Sequence, residues 1–343
     1  MADNNMLSDE ADKKIGIITQ LSLLADDKKA KKETFRLRAY QNAILAIKEY
    51  EGEIRTEKDL DNISGLAKGS IRTKIEEFIK TGEIPQVKDI KKDNPSINVI
   101  SDLSKIYGVG PSKANELVNK FSIMSMDDLK EKIEKDDSLL NKKQIIGLEY
   151  YDDLLKKIPR KEMEKHEDFI TKFIKNIDKN NDLIYEVTGS YRRGASKSGD
   201  IDVLCTAKNE NNLLFYKIID SLEKEDYIKE TLAKGEKKFM GISKLHRHKT
   251  NRRLDMIYTK KIHYPFALLY FTGSGQFNIE MRNYALSLGY SLNEYGLKED
   301  GKFIDNNGKP FVTEEDIFEF LGIRYIQPEN RKAGILEDYL IKN

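Results

Sequence analysis

Residues 200–205 read Asp-Ile-Asp-Val-Leu-Cys, and no other run limits the possible folds of this chain so tightly. Asp200 and Asp202 are two residues apart, so on a strand they project from the same face. Two carboxylates that close repel unless a proton or a cation relieves them. The run continues as Ile201, Val203, Leu204 and Cys205, the pattern of a buried strand. A divalent metal is the natural relief, and hard carboxylate oxygens suit Mg²⁺. Asp255, in Arg-Arg-Leu-Asp-Met-Ile (252–257), is a third carboxylate in a similar apolar setting and would complete a two-metal clamp. Taken alone, Asp-Ile-Asp also fits a surface strand; the loop before it and Asp255 after it favour the metal.

That loop, Thr-Gly-Ser-Tyr-Arg-Arg-Gly-Ala-Ser-Lys-Ser-Gly (188–199), is basic and spaced by glycines. Gly189 and Ser190 offer a backbone amide and a hydroxyl. Arg193 offers a guanidinium fork. Ser198 and Gly199 offer a second hydroxyl and amide directly before Asp200. Anion donors next to metal ligands are what transfer from a metal-bound nucleotide requires.

The rest of the chain sets the frame. With 343 residues there is room for more than one domain, and 34% charged against 39% apolar residues is a polar, globular balance. A net charge of +1 means that a nucleic-acid surface would have to come from local patches. One cysteine, Cys205, excludes an intrachain disulfide framework. No apolar run reaches the roughly 20 residues of a membrane span. Residues 1–12 are expected to be a disordered leader. Helical periodicity dominates up to about residue 177, with the polar, proline-containing run 84–97 (Pro85, Pro95) as a domain joint. Strands enter at Leu183–Ser190, Gly199–Thr206, Lys237–Leu245 and Arg252–Thr259, with short ones near 290–308. The expected fold class is therefore multi-domain, a helical part followed by a mixed α+β part.

One internal repeat stands out. Ile-Ser-Gly-Leu-Ala-Lys-Gly-Ser (63–70) and Ile-Tyr-Gly-Val-Gly-Pro-Ser (106–112) each lead into a helix. Such turns aim backbone amides outward at a helix N-terminus and can hold a phosphate without reading sequence.

At this point a resemblance enters. Gly-Ser-x-Arg-Arg-Gly (189–194) followed by Ser-Gly-Asp-x-Asp-Val (198–203) resembles the signature of the DNA polymerase X family. Lys-Gly-Glu-Lys-Lys-Phe-Met-Gly (234–241), Arg-Arg-Leu-Asp-Met (252–256), Tyr-Phe-Thr-Gly-Ser-Gly-Gln-Phe-Asn (270–278), Met-Arg (281–282) and Asn-Glu-Tyr-Gly-Leu (293–297) follow in the family's order. The likeness runs from about residue 15 to 331 and is closest to the family's beta branch; a viral homologue fits it too. It implies a leader (1–12), a helical 5′-deoxyribose-phosphate lyase-like domain (13–89) with a first helix-hairpin-helix, and a helical DNA-binding subdomain (90–154) with a second. A catalytic nucleotidyltransferase palm with a mixed sheet (155–261) and a small α+β subdomain for nucleotide and template (262–343) would follow. No BRCT domain is expected before the match and no nuclease after it.

The resemblance also implies roles. Asp200 and Asp202 would bind two Mg²⁺ ions, with Mn²⁺ able to substitute, and Asp255 one of them. Ser190, Arg193, Ser198 and Gly199, with Gly189, would hold the triphosphate of a dNTP. Tyr270, Phe271 and Gly273 would form the turn against the sugar, and Asn278 would reach the incoming base. Arg253 would lie near the primer terminus, Arg282 and Tyr295 on the template side. Gly108, Gly110 and Ser112 of the second turn would grip DNA backbone. Backbone carbonyls of Asp61, Ile63 and Leu66, and of Ser104, Ile106 and Val109, would each hold Na⁺ or K⁺. Lys74 would be the amine that forms a Schiff base with an abasic sugar, aided by Arg72, with Arg36, Tyr40 and Lys68 binding or positioning the 5′ end. Among 59 lysines and arginines, a solvated helix lysine is the ordinary reading of Lys74 without the resemblance.

Several positions depart from the beta pattern. Phe35 replaces a stacking histidine, Ser70 and Gln86 replace basic residues, and Ile257 replaces an arginine. Together these change the groups that the resemblance implies for the 5′-phosphate grip and the closing switch. The implied substrates are gapped or nicked duplex DNA and dNTPs, the implied partner a DNA ligase, and the implied state a monomer without a membrane. The implied setting is intracellular, in the nucleus, or the virion or host cell for a viral member. The competing readings are a template-independent nucleotidyltransferase and a non-catalytic scaffold on gapped DNA. The Tyr270-Phe271 pair and the short connection 245–251 argue against the first, the three intact aspartates against the second.

Overall fold

The computed structural model describes residues 13–341 apart from 51, 52, 64, 67, 94, 95, 210 and 333. The expected leader and Pro95 lie outside these. The chain divides into two compact units, Met1–Leu148 and Glu149–Asn343.

Among its described residues the first unit is helical: α1 (Lys14–Ala30), α2 (Thr34–Glu49), α3 (Ser70–Thr81), α4 (Pro85–Asp93), α5 (Ile97–Leu103), α6 (Pro111–Phe121), α7 (Met126–Lys135) and most of α8 (Lys142–Glu149). Apolar residues three and four apart on α1 (Ile17, Leu21, Leu24) and α2 (Tyr40, Ile44, Ile47) turn inward, where they meet Ile75 and Phe78 of α3. Each such side chain contributes about 1.5–3 kcal/mol when fully buried.

The polar run expected to be a joint carries the helix α4, and the boundary expected after residue 89 falls inside that helix. Pro85 stands at its first position, where a missing N–H breaks no bond. Ile84 and Val87 are fully buried in the same core and Ile90 packs against it. One apolar residue every third position is a thin stripe between lysines, which is why the run reads as polar.

The repeat is a repeat of backbone. Ile63 donates to the Leu60 carbonyl and Leu66 to that of Ile63; Ile106 donates to Leu103 and Val109 to Ile106 in the same pattern. Gly65 (φ 78°) and Gly108 (φ 82°) take the left-handed step at matching places. After these turns begin α3, behind Gly69, and α6, behind Gly110.

In the second unit, α9 (Tyr151–Leu154) and β1 (Ile158–Pro159) lead to α10 (Arg160–Ile177). Then come β2 (Leu183–Val187), α11 (Gly189–Arg192), β3 (Lys197–Ser198), β4 (Ile201–Ala207), α12 (Leu213–Lys224), β5 (Ile228–Lys234), β6 (Lys238–Ser243) and β7 (Arg252–Tyr258). Five of these strands form one sheet in the order β2-β4-β7-β6-β5, in which only β4 and β7 run parallel. Ile201, Val203, Cys205, Leu254 and Met256 point to one face and pack with residues of α10 and α12. The remainder is α13 (Tyr264–Thr272), α14 (Gly275–Ser287), a small sheet β8 (Ser291–Asn293), β9 (Gly296–Glu299), β10 (Lys302–Phe303), and α15 (Glu314–Phe320). Its separate core gathers Phe266, Phe277, Met281, Leu297, Phe311 and Phe318.

Candidate active site

The parallel pairing of β4 with β7 sets Asp202 directly opposite Asp255. Period-2 alternation leaves both on the face that α10 and α12 do not cover, with Asp200 at the edge of β4 and Arg253 on the same side. Lys238 follows them onto that face, its ammonium 3.9 Å from Asp255. Asp255 is 4% exposed. Burial, then repulsion from Asp200 and Asp255, pushes the Asp202 carboxyl up to about 8. Burial also raises Asp200, against the pull of Arg253 and Lys157. Each of the two buried carboxyls thus sits where its charged form is disfavoured by burial and by its acidic neighbours.

Arg253 takes both oxygens of Asp255, at 3.0 and 2.7 Å. With that carboxylate engaged, no three acid, imidazole or thiol groups among the described residues converge on a metal-sized point. The donor set still fits hard divalent cations: three carboxylates on adjacent parallel strands, two of them with raised pKa, which a cation would reverse.

The loop behind β2 is folded onto the acids. Thr188 donates to the Asp202 carbonyl at 2.8 Å. Gly189 has φ +64°, and a Cβ there would lie 2.7 Å from Asp202 Oδ2, so this approach requires glycine. The Ser190 and Ser198 hydroxyls meet at 3.1 Å. Pairing of β1 with β3 holds Ser198, opposite Ile158. Arg193 donates to the Thr272 carbonyl at 2.6 Å, which joins the loop to the turn at Gly273. Beyond that turn, Asn278 Nδ2 donates to the Tyr270 carbonyl at 2.7 Å, and the Tyr270 and Phe271 rings meet edge to face at 5.1 Å. Tyr270, Asn278 and Arg282 line one shallow cleft. Tyr295 is 49% exposed on the turn between β8 and β9.

Four features escape sequence reasoning. Lys157 brings its ammonium to within 3.4 Å of where a Cβ on Gly199 would stand, beside Asp200. Arg192 bonds Thr272 Oγ1 and Glu314, both at 2.8 Å, and Glu314 bonds the fully buried Arg331 at 2.6 Å. Arg252 grips Glu162 with two bonds of 2.7 and 2.9 Å and the Lys156 carbonyl at 2.8 Å, which anchors the start of the strand that carries Asp255. Buried His166 meets the Tyr227 hydroxyl at 2.7 Å on the same helix as Glu162. Each is a pairing between residues far apart in sequence; only the doubled arginines at 192–193 and 252–253 hinted at any of them.

In the first unit, Lys74 is half-buried on α3, and its amine donates one turn back to the Ser70 carbonyl at 3.3 Å. Arg72, expected to help it, is spent on Asp61 (2.6 Å) and Glu76 (2.9 Å). Tyr40 belongs to the core at 7% exposure, whereas Phe35 is 84% exposed. Arg36 pairs with Glu33 at 2.6 Å, and Lys68 is exposed.

The parallel strands that bring Asp202 and Asp255 together, fed by the glycine-serine loop, agree with comparisons of sequence. A family model of the DNA polymerase beta palm matches residues 157–261, and one of the DNA polymerase beta thumb residues 267–332. The fingers domain of DNA polymerase lambda matches 101–155, and a helix-hairpin-helix domain 13–84. The chain belongs to the DNA polymerase X family. Within that family it is similar to DNA polymerase lambda of Rattus norvegicus, 29% identical over 333 residues that make up 92% of this chain and 56% of the relative. It is 27% identical to DNA polymerase lambda of Arabidopsis thaliana over 313 residues (85% and 57%). It is 29% identical to DNA nucleotidylexotransferase of Xenopus laevis over 333 residues (86% and 64%). The chain thus spans between half and two thirds of the length of these relatives, and the X-family resemblance extends to both the beta and lambda branches. No helix among the described residues is long and apolar enough to cross a membrane.

Proposed function

We propose that this chain is a template-directed DNA polymerase that fills short gaps, adding a nucleotide from a dNTP to a primer 3′-OH. The observation that carries the reading is the register of Asp202 against Asp255, with the paired Ser190 and Ser198 hydroxyls beside them. Two Mg²⁺ ions, or Mn²⁺, would neutralise charge on the attacking and leaving oxygens of the in-line displacement. Asp200 and Asp202 would hold both ions, and Asp255 one. For that, Arg253 must release Asp255 and Asp202 must give up its proton. Ser190, Ser198 and the Gly199 amide would then bind triphosphate oxygens, joined by Lys157 and by Arg193 once it turns from Thr272. Tyr270, Phe271 and Asn278 would fix sugar and base, with Arg282 and Tyr295 on the template. The two glycine turns, each with its cation on backbone carbonyls, would hold duplex on either side of the gap.

The first unit would add a 5′-deoxyribose-phosphate lyase. The Lys74 amine would add to the C1′ aldehyde and lose water to form an imine. Loss of a 2′ proton would then break the C3′–O bond and free the 5′-phosphate of the downstream strand. The monomeric state, intracellular setting and hand-over of the nick to a DNA ligase complete the reading.

The likeness to a nucleotidylexotransferase makes template-free addition the second reading. The connection from β6 to β7 spans only residues 244–251 and favours the first. The test is a one-nucleotide gapped duplex carrying a 5′-deoxyribose phosphate, with insertion and borohydride trapping followed together. Insertion of the templated base that vanishes in Asp255→Ala, with trapping that vanishes in Lys74→Ala, is the expected result. Addition to a lone single strand at equal rate moves the second reading to first. No insertion in Mg²⁺ or Mn²⁺ leaves a DNA-binding scaffold.

A further inference from the structure

The small sheet of the second unit has an open face. Ser291, Lys298 and Phe303 stand opposite one another across its three strands, and the next pair along, Asn293 with Gly296, shares their side. Leu292 and Leu297 point the other way into the core. Glu299 and Lys302 alternate to that other side too, so the paired strand residues of the open face present a ring, an ammonium and small polar groups, with no carboxylate among them.

The aromatic groups here are placed with some care. Phe303 is 55% exposed, though it lies over a bare glycine: a Cβ on Gly296 would stand 3.0 Å from its ring. The Lys298 ammonium hangs over the ring, 4.6 Å from its centre. His263 closes the edge, its ring 6.0 Å from Phe303 and 5.8 Å from Tyr295, with Nδ1 2.6 Å from the Tyr295 carbonyl. Asn293 Oδ1 accepts from the Tyr295 and Gly296 amides and fixes that turn. Two exposed rings and a third beside them, with a cation over one of them, make up the usual chemistry of a stacking platform for unpaired nucleotides.

We infer that this face binds single-stranded DNA: a nucleobase stacks on Phe303, and Lys298 swings from the ring to the adjoining phosphate. The inference rests on the polymerase reading for its choice of ligand, and its natural occupant is unpaired template. A protein partner would value the same patch for apolar area, which leucine would keep; a base needs the flat ring.

The chain has no tryptophan, so Phe303→Trp installs a single tryptophan at the platform, excited apart from the tyrosines at the red edge. Quenching of that fluorophore by oligothymidylate is expected. Binding of fluorescein-labelled oligothymidylate should weaken about tenfold in Phe303→Ala, nearly as much in Phe303→Leu, and little in Phe303→Tyr. Lys298→Ala should lower the magnitude of the salt slope by about 0.7. Equal affinity for wild type and Phe303→Ala overturns the inference, as does full affinity in Phe303→Leu or an unquenched tryptophan. Insertion by wild type on the gapped duplex, measured alongside, separates two failures. Insertion with no effect at Phe303 overturns the platform alone. Absent insertion overturns the polymerase reading and leaves the oligothymidylate results to judge the platform.

Discussion

The carboxylates of the second unit and the lysine of the first are the two places where we propose covalent chemistry, and they are held in opposite ways. Asp202 and Asp255 face each other from central strands, and the groups around them are bonded in place: Thr188 to Asp202, Arg253 to Asp255, Arg193 to Thr272, Arg192 to Glu314. Lys74 sits half-buried on a helix surface with its amine on its own backbone, and the nearby arginine is neutralised by two acids. A metal site needs charges fixed before the ion arrives, so the fold carries the strain of holding them. An amine nucleophile needs to lose a proton, and substrate binding can supply that desolvation. The second unit should therefore respond to substitution through geometry and stability, the first through chemistry alone.

The largest effect should come from Asp255→Asn. Loss of a carboxylate that would hold a cation against the reacting oxygens is expected to slow gap insertion on the order of a thousandfold, read in single turnover. A loss of less than tenfold would mean that Asp200 and Asp202 suffice, and the comparison would lose its first term. Next is Glu314→Gln. Arg331 is 1% exposed and Glu314 3%, and the glutamate also answers Arg192. Removing the one charge between two guanidinium groups should cost about 3–5 kcal/mol by urea unfolding. Glu314→Gln should also disturb insertion, because Arg192 bonds Thr272 beside the turn proposed to contact the sugar.

Acid should act on the second unit through His166. Burial, only partly offset by Glu162, lowers its pKa from 6.5 to about 4; His248 and Arg252 add to the lowering, and Tyr227 bonds Nδ1. The unfolded chain then binds a proton that the folded one refuses between those values. Stability should therefore be full above about 6.5 and fall as the pH drops toward 4, by as much as about 3 kcal/mol. His166→Leu should flatten that limb of the melting curve. An unchanged limb would place the acid sensitivity elsewhere, with the paired carboxylates such as Glu162.

What the sequence could reveal follows the same division. Asp-Ile-Asp before an apolar run, and Gly-Ser before it, are local patterns whose meaning depends on neighbours in the chain, so the acids and the loop stand out in the sequence, whereas the turn 270–278 enters only through the family resemblance. The parallel register that sets Asp202 against Asp255 needs two strands about fifty residues apart and was not legible. Glu314 reads as the start of an acidic helix turn, and nothing nearby reveals Arg331 or Arg192 as its partners. β5 was missed because Lys-Glu-Thr alternates on an edge strand that needs little apolar surface. The helix α4 was missed because its apolar stripe is one residue wide.

The smallest effect on the fold belongs to Lys74. Its side chain is half-buried, and one weak bond of 3.3 Å to the Ser70 carbonyl is what Lys74→Ala removes. Alanine also has the better helix propensity, so stability should change by no more than about 0.5 kcal/mol. Borohydride trapping on the 5′-deoxyribose phosphate should nonetheless vanish, with insertion within a few-fold of wild type. Arg72→Met sharpens the point. If the guanidinium between Asp61 and Glu76 holds their charge away from the amine, its removal leaves two unpaired acids near Lys74. Those acids favour the ammonium and should slow trapping at neutral pH, an effect that higher pH reverses. Trapping that survives in Lys74→Ala would place the nucleophile on another lysine of this unit. The contrast between a site built by the fold and one completed by substrate would then rest on the wrong residue.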